Sequence, residues 1–400
     1  MTHYSLITLT GDRLIRVDRA RLEQVAHDTG ADAVFGNYLK DGELVPLFTP
    51  LPGSVRNDFD FGPVMLVKTE ILGRYPQPLT PPVFYAMWLR MLGRIVHVPE
   101  VTAEVAAPPS GETGEAQFSY VDPRNRAMQL AMEETFTAWL RETGAAVEPG
   151  EPVSHSGKFP VEASVIIPVR NRVKTVGDAI RSALGQKAHF EFNVIVVDNH
   201  SVDGTGAVID ALAAEDPRVI RIVPESTTHG IGGCWNEALD SASCGRYAVQ
   251  LDSDDVYSSE STLQQIVDKF RETGAACVIG SYTLTDFDLK PIPPGLIDHS
   301  EWTDANGANN ALRINGLGAP RAYFTPIARR LRFPDVSYGE DYAMVLRISR
   351  EFRIGRIFTS LYDCRRWGGN SDSNLPAEKI SANNRYKDWI RTVEILARRK

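Results

Sequence analysis

Apolar and polar positions fall into short blocks along this chain, and the clearest blocks begin near residue 161. Ala163-Ser164-Val165-Ile166-Ile167 is an apolar run rich in β-branched residues, the pattern of a buried strand. Val176, Ala179, Ile180, Ala183 and Leu184 then recur at helical spacing. Asn193–Val197 predicts a second buried strand ending at Asp198, and a helix around 207–214 and a strand at 219–223 follow. Tyr247–Leu251 predicts another strand, which runs directly into Asp252-Ser253-Asp254-Asp255. Strand and helix alternate here as in a three-layer α/β/α fold with a mostly parallel sheet. Ligands of such sheets gather at the carboxyl ends of strands, where Asp198 and Asp252 fall.

Upstream, residues 106–126 and 146–160 are rich in Pro, Gly and polar residues and read as linker. Between them, 128–143 carries Leu130, Ala131, Phe136, Trp139 and Leu140, the spacing of one amphipathic helix. The first hundred residues contain an internal echo. The ten residues from Thr29 match the ten from Thr273 at six positions, and Tyr85–Arg90 matches Tyr342–Arg347 at five of six. Gly93-Arg94-Ile95 likewise echoes Gly355-Arg356-Ile357, in the same order and at similar spacing. Residues 1–105 therefore read as a partial α/β repeat of the back half of a main domain spanning 161–400, with 106–160 as linker. The copy is chemically empty: Leu9-Thr10-Gly11-Asp12 stands against Leu251–Asp254 and keeps one acid, while Val83 and Phe84 stand opposite Glu340 and Asp341. Packing, homo-oligomerisation or shaping of an acceptor site are the roles left to it.

Composition narrows the function classes. With 400 residues and 43% hydrophobic content the chain can bury a large core, and 24% charged residues do not suggest widespread disorder. A formal charge of -8 without a dense basic cluster argues against nucleic-acid binding. The N-terminus lacks the pattern of a signal peptide, and no apolar run is long enough for a transmembrane segment. Cys234, Cys244, Cys277 and Cys364 show no CxxC spacing, so reduced thiols and a cytoplasmic location are expected.

Four stretches of the main domain carry candidate chemistry. They are Ile167-Pro168-Val169-Arg170-Asn171, Val197–Thr205, the glycine-rich Gly230–Ala238, and Gln250–Asp255. In this order and spacing they resemble the family 2 glycosyltransferases of the GT-A fold, over roughly residues 163–370. Closely spaced carboxylates at a strand end can hold a hard divalent cation and leave coordination positions for phosphate oxygens. The resemblance implies that Asp252, Asp254 and Asp255 bind Mg2+ or Mn2+, with Asp252 nearer the ribose of a nucleotide-sugar. It also implies that Pro168, Arg170 and Asn171 line the base and ribose pocket and that Asp198 accepts from the base, uracil by preference. Asp203, Gly233 and Asn236 would complete the donor site.

Further along, Glu340-Asp341 opens a predicted helix where the family places its acceptor-facing acids. By the same resemblance Asp341 is the general base, assisted by Glu340, and Arg366 neutralises the diphosphate. Trp302, Asn309 and Asn310 fall in the region that forms acceptor pockets in relatives. Many relatives carry a metal-binding His after the last strand, and Tyr362–Asn374 contains none, so a third protein ligand is missing. The implied activity is metal-dependent, inverting transfer from a nucleotide-sugar, a UDP-sugar by preference, to a hydroxyl acceptor. A nucleotide-sugar-binding module without catalysis is one alternative. A sugar nucleotidyltransferase is the other, although it calls for a glycine-rich phosphate loop where Pro168-Val169-Arg170-Asn171 stands.

Overall fold

The computed structural model describes residues 2–107, 126–300, 306–368, 370 and 375–400. Most of the linker before Arg126, and Trp302, lie outside the described residues.

A first sheet is built from β1 (Tyr4–Thr8), β2 (Arg13–Val17), β3 (Ala33–Lys40), β4 (Glu43–Val45), β5 (Val64–Lys68) and β6 (Ile95–Ala106). Its order is β1-β5-β3-β6-β2, with β4 on β3. Helices α1 (Arg19–Thr29), α2 (Thr69–Leu72) and α3 (Pro81–Met91) connect these strands, and α4 (Arg126–Glu142) follows where one amphipathic helix was expected.

The second sheet comprises β7 (Ala163–Val169), β8 (Phe192–Asp198), β9 (Val219–Ile222), β10 (Tyr247–Gln250), β11 (Val256–Tyr257), β12 (Cys277–Thr285), β13 (Pro291–Ile297), β14 (Arg321–Phe324) and β15 (Ile354–Arg365). Its order is β11-β15-β12-β14-β10-β7-β8-β9, with β13 on β12. The interleaved helices are α5 (Val176–Leu184), α6 (Thr205–Glu215), α7 (Ile231–Asp240), α8 (Thr262–Thr273), α9 (Gly307–Asn310), α10 (Thr325–Leu331), α11 (Glu340–Ser349) and α12 (Ala377–Arg398). Parallel pairing runs through the β10-β7-β8-β9 half and recurs between β12 and β15. Beyond it β14 runs antiparallel to both β10 and β12, so the sheet as a whole is mixed. Helix α5 packs against α6, while α7 packs against α10 and α11, giving an α/β/α arrangement.

The two sheets repeat one another strand for strand in their shared part. Ala33 of β3 pairs antiparallel with Val67 and parallel with Ile95; Cys277 of β12 pairs in the same two senses with Tyr323 and Ile354. β1 on β5 and β2 on β6 correspond to β10 on β14 and β11 on β15. The matched Thr-Gly-Ala sequences have a local cause: Gly30 and Gly274 stop α1 and α8 in the left-handed conformation, at φ 64° and 63°. Nothing in the first sheet stands for β7, β8 and β9.

One apolar core runs through both parts and includes Phe35, Trp88 and Phe136 as well as Val165, Leu263 and Tyr342. Polar contacts reinforce the junction at α12. Ser54 Oγ donates to Asp388 Oδ2 (2.8 Å), and the Gly53 amide donates to Thr392 Oγ1 (2.8 Å). Asp388 in turn accepts from Arg391 (2.7 Å) and lies 3.6 Å from Arg56, all three being buried. The 146–160 stretch is packed rather than loose. The Val153 amide donates to Gly274 O (2.6 Å), and His155 bridges Ala275 O (2.8 Å) and Tyr247 OH (3.1 Å). Its Pro and Gly residues give an irregular path that still meets the sheet edge.

Candidate active site

A cleft of about 450 Å³ opens at the carboxyl ends of β7, β8 and β10. The acidic run forms its floor. Gln250, the last residue of β10, donates through Nε2 to both oxygens of Asp252 (3.0 and 3.1 Å), and the Asp252 amide donates to Tyr362 OH (2.9 Å). Asp255 turns inward: its Oδ1 accepts from the Arg365 amide (2.8 Å), tying the run to β15. Asp254 faces the opposite wall, with Arg172 Nε at 3.8 Å and Asn370 Nδ2 at 3.3 Å from Oδ2. Burial, and then the charge of Asp252, raises the Asp254 carboxyl; burial with the charges of Asp252 and Asp254 pushes Asp255 well above the usual carboxylate range. Three acids crowded at a buried strand end repel one another, and a divalent cation relieves that repulsion. Among the described residues, no group of three or more His, Cys, Asp or Glu side chains is placed to hold a metal ion by itself. The donor set therefore fits a cation only with further oxygens supplied by a ligand.

Opposite this floor, α11 begins at Glu340, after Gly339 takes φ 79°. Asp341 Oδ2 lies 2.8 Å from Arg321 Nη2, and the Arg321 amide donates to Gln250 Oε1 (3.0 Å). One chain of contacts thus runs from Asp252 through Gln250 and Arg321 to Asp341. Burial alone would raise the Asp341 carboxyl, but the Arg321 and Lys387 charges outweigh it and hold it below its ordinary value. Burial and the Asp341 charge push Glu340 up to about 8. Near neutral pH the pair is therefore one ionised and one protonated acid.

A second cavity of about 370 Å³ adjoins the first and shares Asp252, Asp255, Arg321, Asp341 and Arg366 with it. Its outer wall is formed by the 315–319 loop and Lys387 of α12. Asn309 and Asn310 do not line it. Asn309 instead exchanges hydrogen bonds with the backbone of Val147, and Asn310 donates to Glu133, so both fasten α9 to α4 and the chain after it.

Pro168, Arg170, Asp252, Asp254, Asp255, Arg366, Glu340 and Asp341 thus meet around one cleft. The structure gives the other five expected donor residues different partners. Asp198 is buried, accepting from Arg221 (2.6 Å) and from the Ser201 amide (3.0 Å), while its neighbour Asn199 faces the cleft. Asn171, at φ 54°, accepts from the Val202 amide, and Asp203 accepts from the Val173 amide, so the two stitch adjacent loops together. Asn236 holds both backbone groups of Phe333. The Gly230–Gly233 turn is closely packed. A Cβ at Gly232 would stand 1.9 Å from Pro334 O, and one at Gly233 would stand 2.4 Å from Asp335.

Residues that sequence reading did not single out complete the walls: Arg172, His229, Arg321, Asn370 and Lys387. His229 is clamped between Asp335 (2.7 Å) and Glu237 (3.3 Å), and the hydrogen bond to Asp335 raises it above its ordinary value. Asn370 stands in the segment where a metal-binding His was sought.

Residues 164–330 match the family model described as Glycosyl transferase family 2. The chain is 29% identical over 119 residues to the glycosyltransferase GlyG of Streptococcus pneumoniae, covering 30% of this chain and 38% of that protein. It is 34% identical over 118 residues to the GalNAc(5)-diNAcBac-PP-undecaprenol beta-1,3-glucosyltransferase of Campylobacter jejuni, covering 30% of this chain and 37% of that protein. The matched region thus spans less than two fifths of either relative. Among solved structures, residues 1–349 of S. aureus TarS with UDP align at 20% identity and a TM-score of 0.45, over 59% of this chain and 65% of that one. Among the described residues no helix is long and apolar enough to cross a membrane.

Proposed function

We propose, from the match of residues 164–330 to the family 2 glycosyltransferase model, that the chain moves a sugar from a nucleotide-sugar to a hydroxyl acceptor with inversion at the anomeric carbon. A UDP-sugar is the preferred donor. The observation that carries this reading is the seam between two cavities, both of which are lined by Asp252, Asp255 and Asp341. A donor in the first cavity and an acceptor in the second would meet at that seam.

Asp252, Asp254 and Asp255 would hold Mg2+ or Mn2+, with diphosphate oxygens filling the remaining positions. When bound, the cation supplies positive charge against which the nucleoside diphosphate departs. Arg170 and Arg366 add cationic side chains to the walls around that leaving group. Asp341 takes the acceptor proton as the acceptor oxygen bonds to the anomeric carbon and the bond to the diphosphate oxygen breaks. Arg321 keeps Asp341 ionised and aimed, and protonated Glu340 can donate a hydrogen bond to the acceptor. The N-terminal segment is read as a non-catalytic half-copy that braces α12 and thereby the acceptor side. The four cysteines are free, which suits a reducing compartment such as the cytoplasm.

Asp341→Asn tests the assignment of the base. Donor binding should be retained while transfer falls about 10²–10⁴-fold, the range for loss of general-base catalysis. Calorimetry with UDP and turnover of a UDP-sugar read the two quantities separately, and substantial residual transfer would remove Asp341 from the role.

A further inference from the structure

We propose that the second cavity takes an acceptor bearing a phosphate group, held by Lys387 beside the hydroxyl that reacts. This rests on the glycosyl-transfer reading above and names its acceptor class.

Lys387 projects from α12 into the cavity wall. Its ammonium donates to Asn315 O (2.7 Å) and lies over the rings of Tyr338 (4.8 Å) and Tyr342 (5.5 Å). None of these partners carries a formal charge. Among the described residues no carboxylate lies within ion-pair distance of Lys387, and the nearby Asp341 already pairs with Arg321 at 2.8 Å. A cation set deep in a protein without an anion is costly. The cost shows in Lys387 itself, which burial, with Arg391 and Arg321 nearby, lowers to about 8 against the pull of Asp341. Lys387, Arg321 and Arg366 thus share this cavity with Asp252, Asp255 and Asp341.

The surroundings hold the arrangement in place. Arg391, fully buried one turn along α12, donates to Leu312 O (2.8 Å), Ile314 O (2.9 Å) and Tyr342 OH (2.9 Å). These bonds fix the loop leading to Asn315 and the helix that carries Asp341. Arg321 Nη1 donates to Gly318 O (2.5 Å), which sets the guanidinium across the cavity. With the Arg321 guanidinium committed to Asp341 and Gly318 O, Lys387 is a point charge on this wall left to meet a phosphate oxygen. A neutral sugar hydroxyl would leave the Lys387 charge unanswered.

The test uses the full chain, saturated with UDP and Mg2+ so that the donor side is filled. Binding of glycerol 3-phosphate is compared with binding of glycerol by calorimetry. Glycerol 3-phosphate should bind and glycerol should not, and Lys387→Gln should weaken the phosphate ester about ten- to a hundred-fold, as expected for loss of one charge-assisted hydrogen bond. UDP affinity of that variant should stay within about twofold, since Lys387 does not line the donor cleft. Equal binding of the two probes, binding of neither, or an unchanged phosphate affinity in Lys387→Gln would overturn the proposal. If Lys387→Gln does not fold, the comparison of the two probes on the unmodified chain decides alone. Failure of UDP itself to bind is read before either probe is added and counts against the donor assignment instead.

Discussion

Arg321 Nη2 and Asp341 Oδ2 lie 2.8 Å apart at the seam of the two cavities, and this pair sets the charge state of the candidate base. Arg321 holds the Asp341 carboxyl below its ordinary value, against the burial that would raise it. Arg321→Gln removes that cation, so Asp341 should require a higher pH to ionise. The acidic limb of the kcat/KM profile should move upward by about one to three pH units, the size of shift a neighbouring opposite charge exerts. A profile that keeps its acidic limb in place would mean that Asp341 is not the group that titrates.

Glu340 makes the opposite prediction at the other end of the profile. Burial and the Asp341 charge raise it to about 8, so it is protonated at neutral pH and becomes an anion above that value. The second negative charge beside Asp341 should depress transfer as pH rises. Glu340→Gln fixes the neutral form and should preserve activity near pH 7 while flattening the alkaline limb. An unaltered alkaline limb would assign that limb to another group, with Lys387, also at about 8, the first to examine.

Asp388 is the joint between the N-terminal segment and α12. It accepts from Ser54 and Arg391 and lies beside Arg56, with all three charged groups buried. Asp388→Ala leaves buried Arg391 without its carboxylate and Arg56 with Asp58 alone (3.0 Å), and breaking a buried pair in this way costs about 3–5 kcal/mol in comparable cases. The denaturation midpoint should fall accordingly. Limited proteolysis should also cut the 50–56 loop sooner, because Gly53 and Ser54 dock on the same turn of α12. Unchanged stability and cleavage would show that the apolar core alone holds the two parts together.

The strands ending at Val169, Asp198 and Gln250 were legible because buried parallel strands are continuous apolar runs, and the acidic run after Gln250 is conspicuous against them. The internal repeat was legible because the residues that stop a helix and start a strand, Thr-Gly-Ala in both copies, are constrained by backbone geometry. Arg321 and Lys387 were not legible: one begins an ordinary antiparallel strand, the other sits midway along a polar helix, and only the fold brings them to Asp341. Asp198, Asn171 and Asp203 do not line the cleft. Polar residues at strand ends serve loop closure as readily as ligand binding, and these three hydrogen-bond to neighbouring loops.

Metal-dependent transfer from a nucleotide-sugar, as proposed for the Asp252–Asp255 floor, can be read from the release of UDP. The most direct measurement follows UDP release from a panel of UDP-sugars, with Mn2+ present, with Mn2+ removed by EDTA, and in Asp254→Asn. The account predicts release with Mn2+ that is lost on chelation and lost in the variant. Donor binding without release, release indifferent to EDTA, or full activity in Asp254→Asn would contradict it.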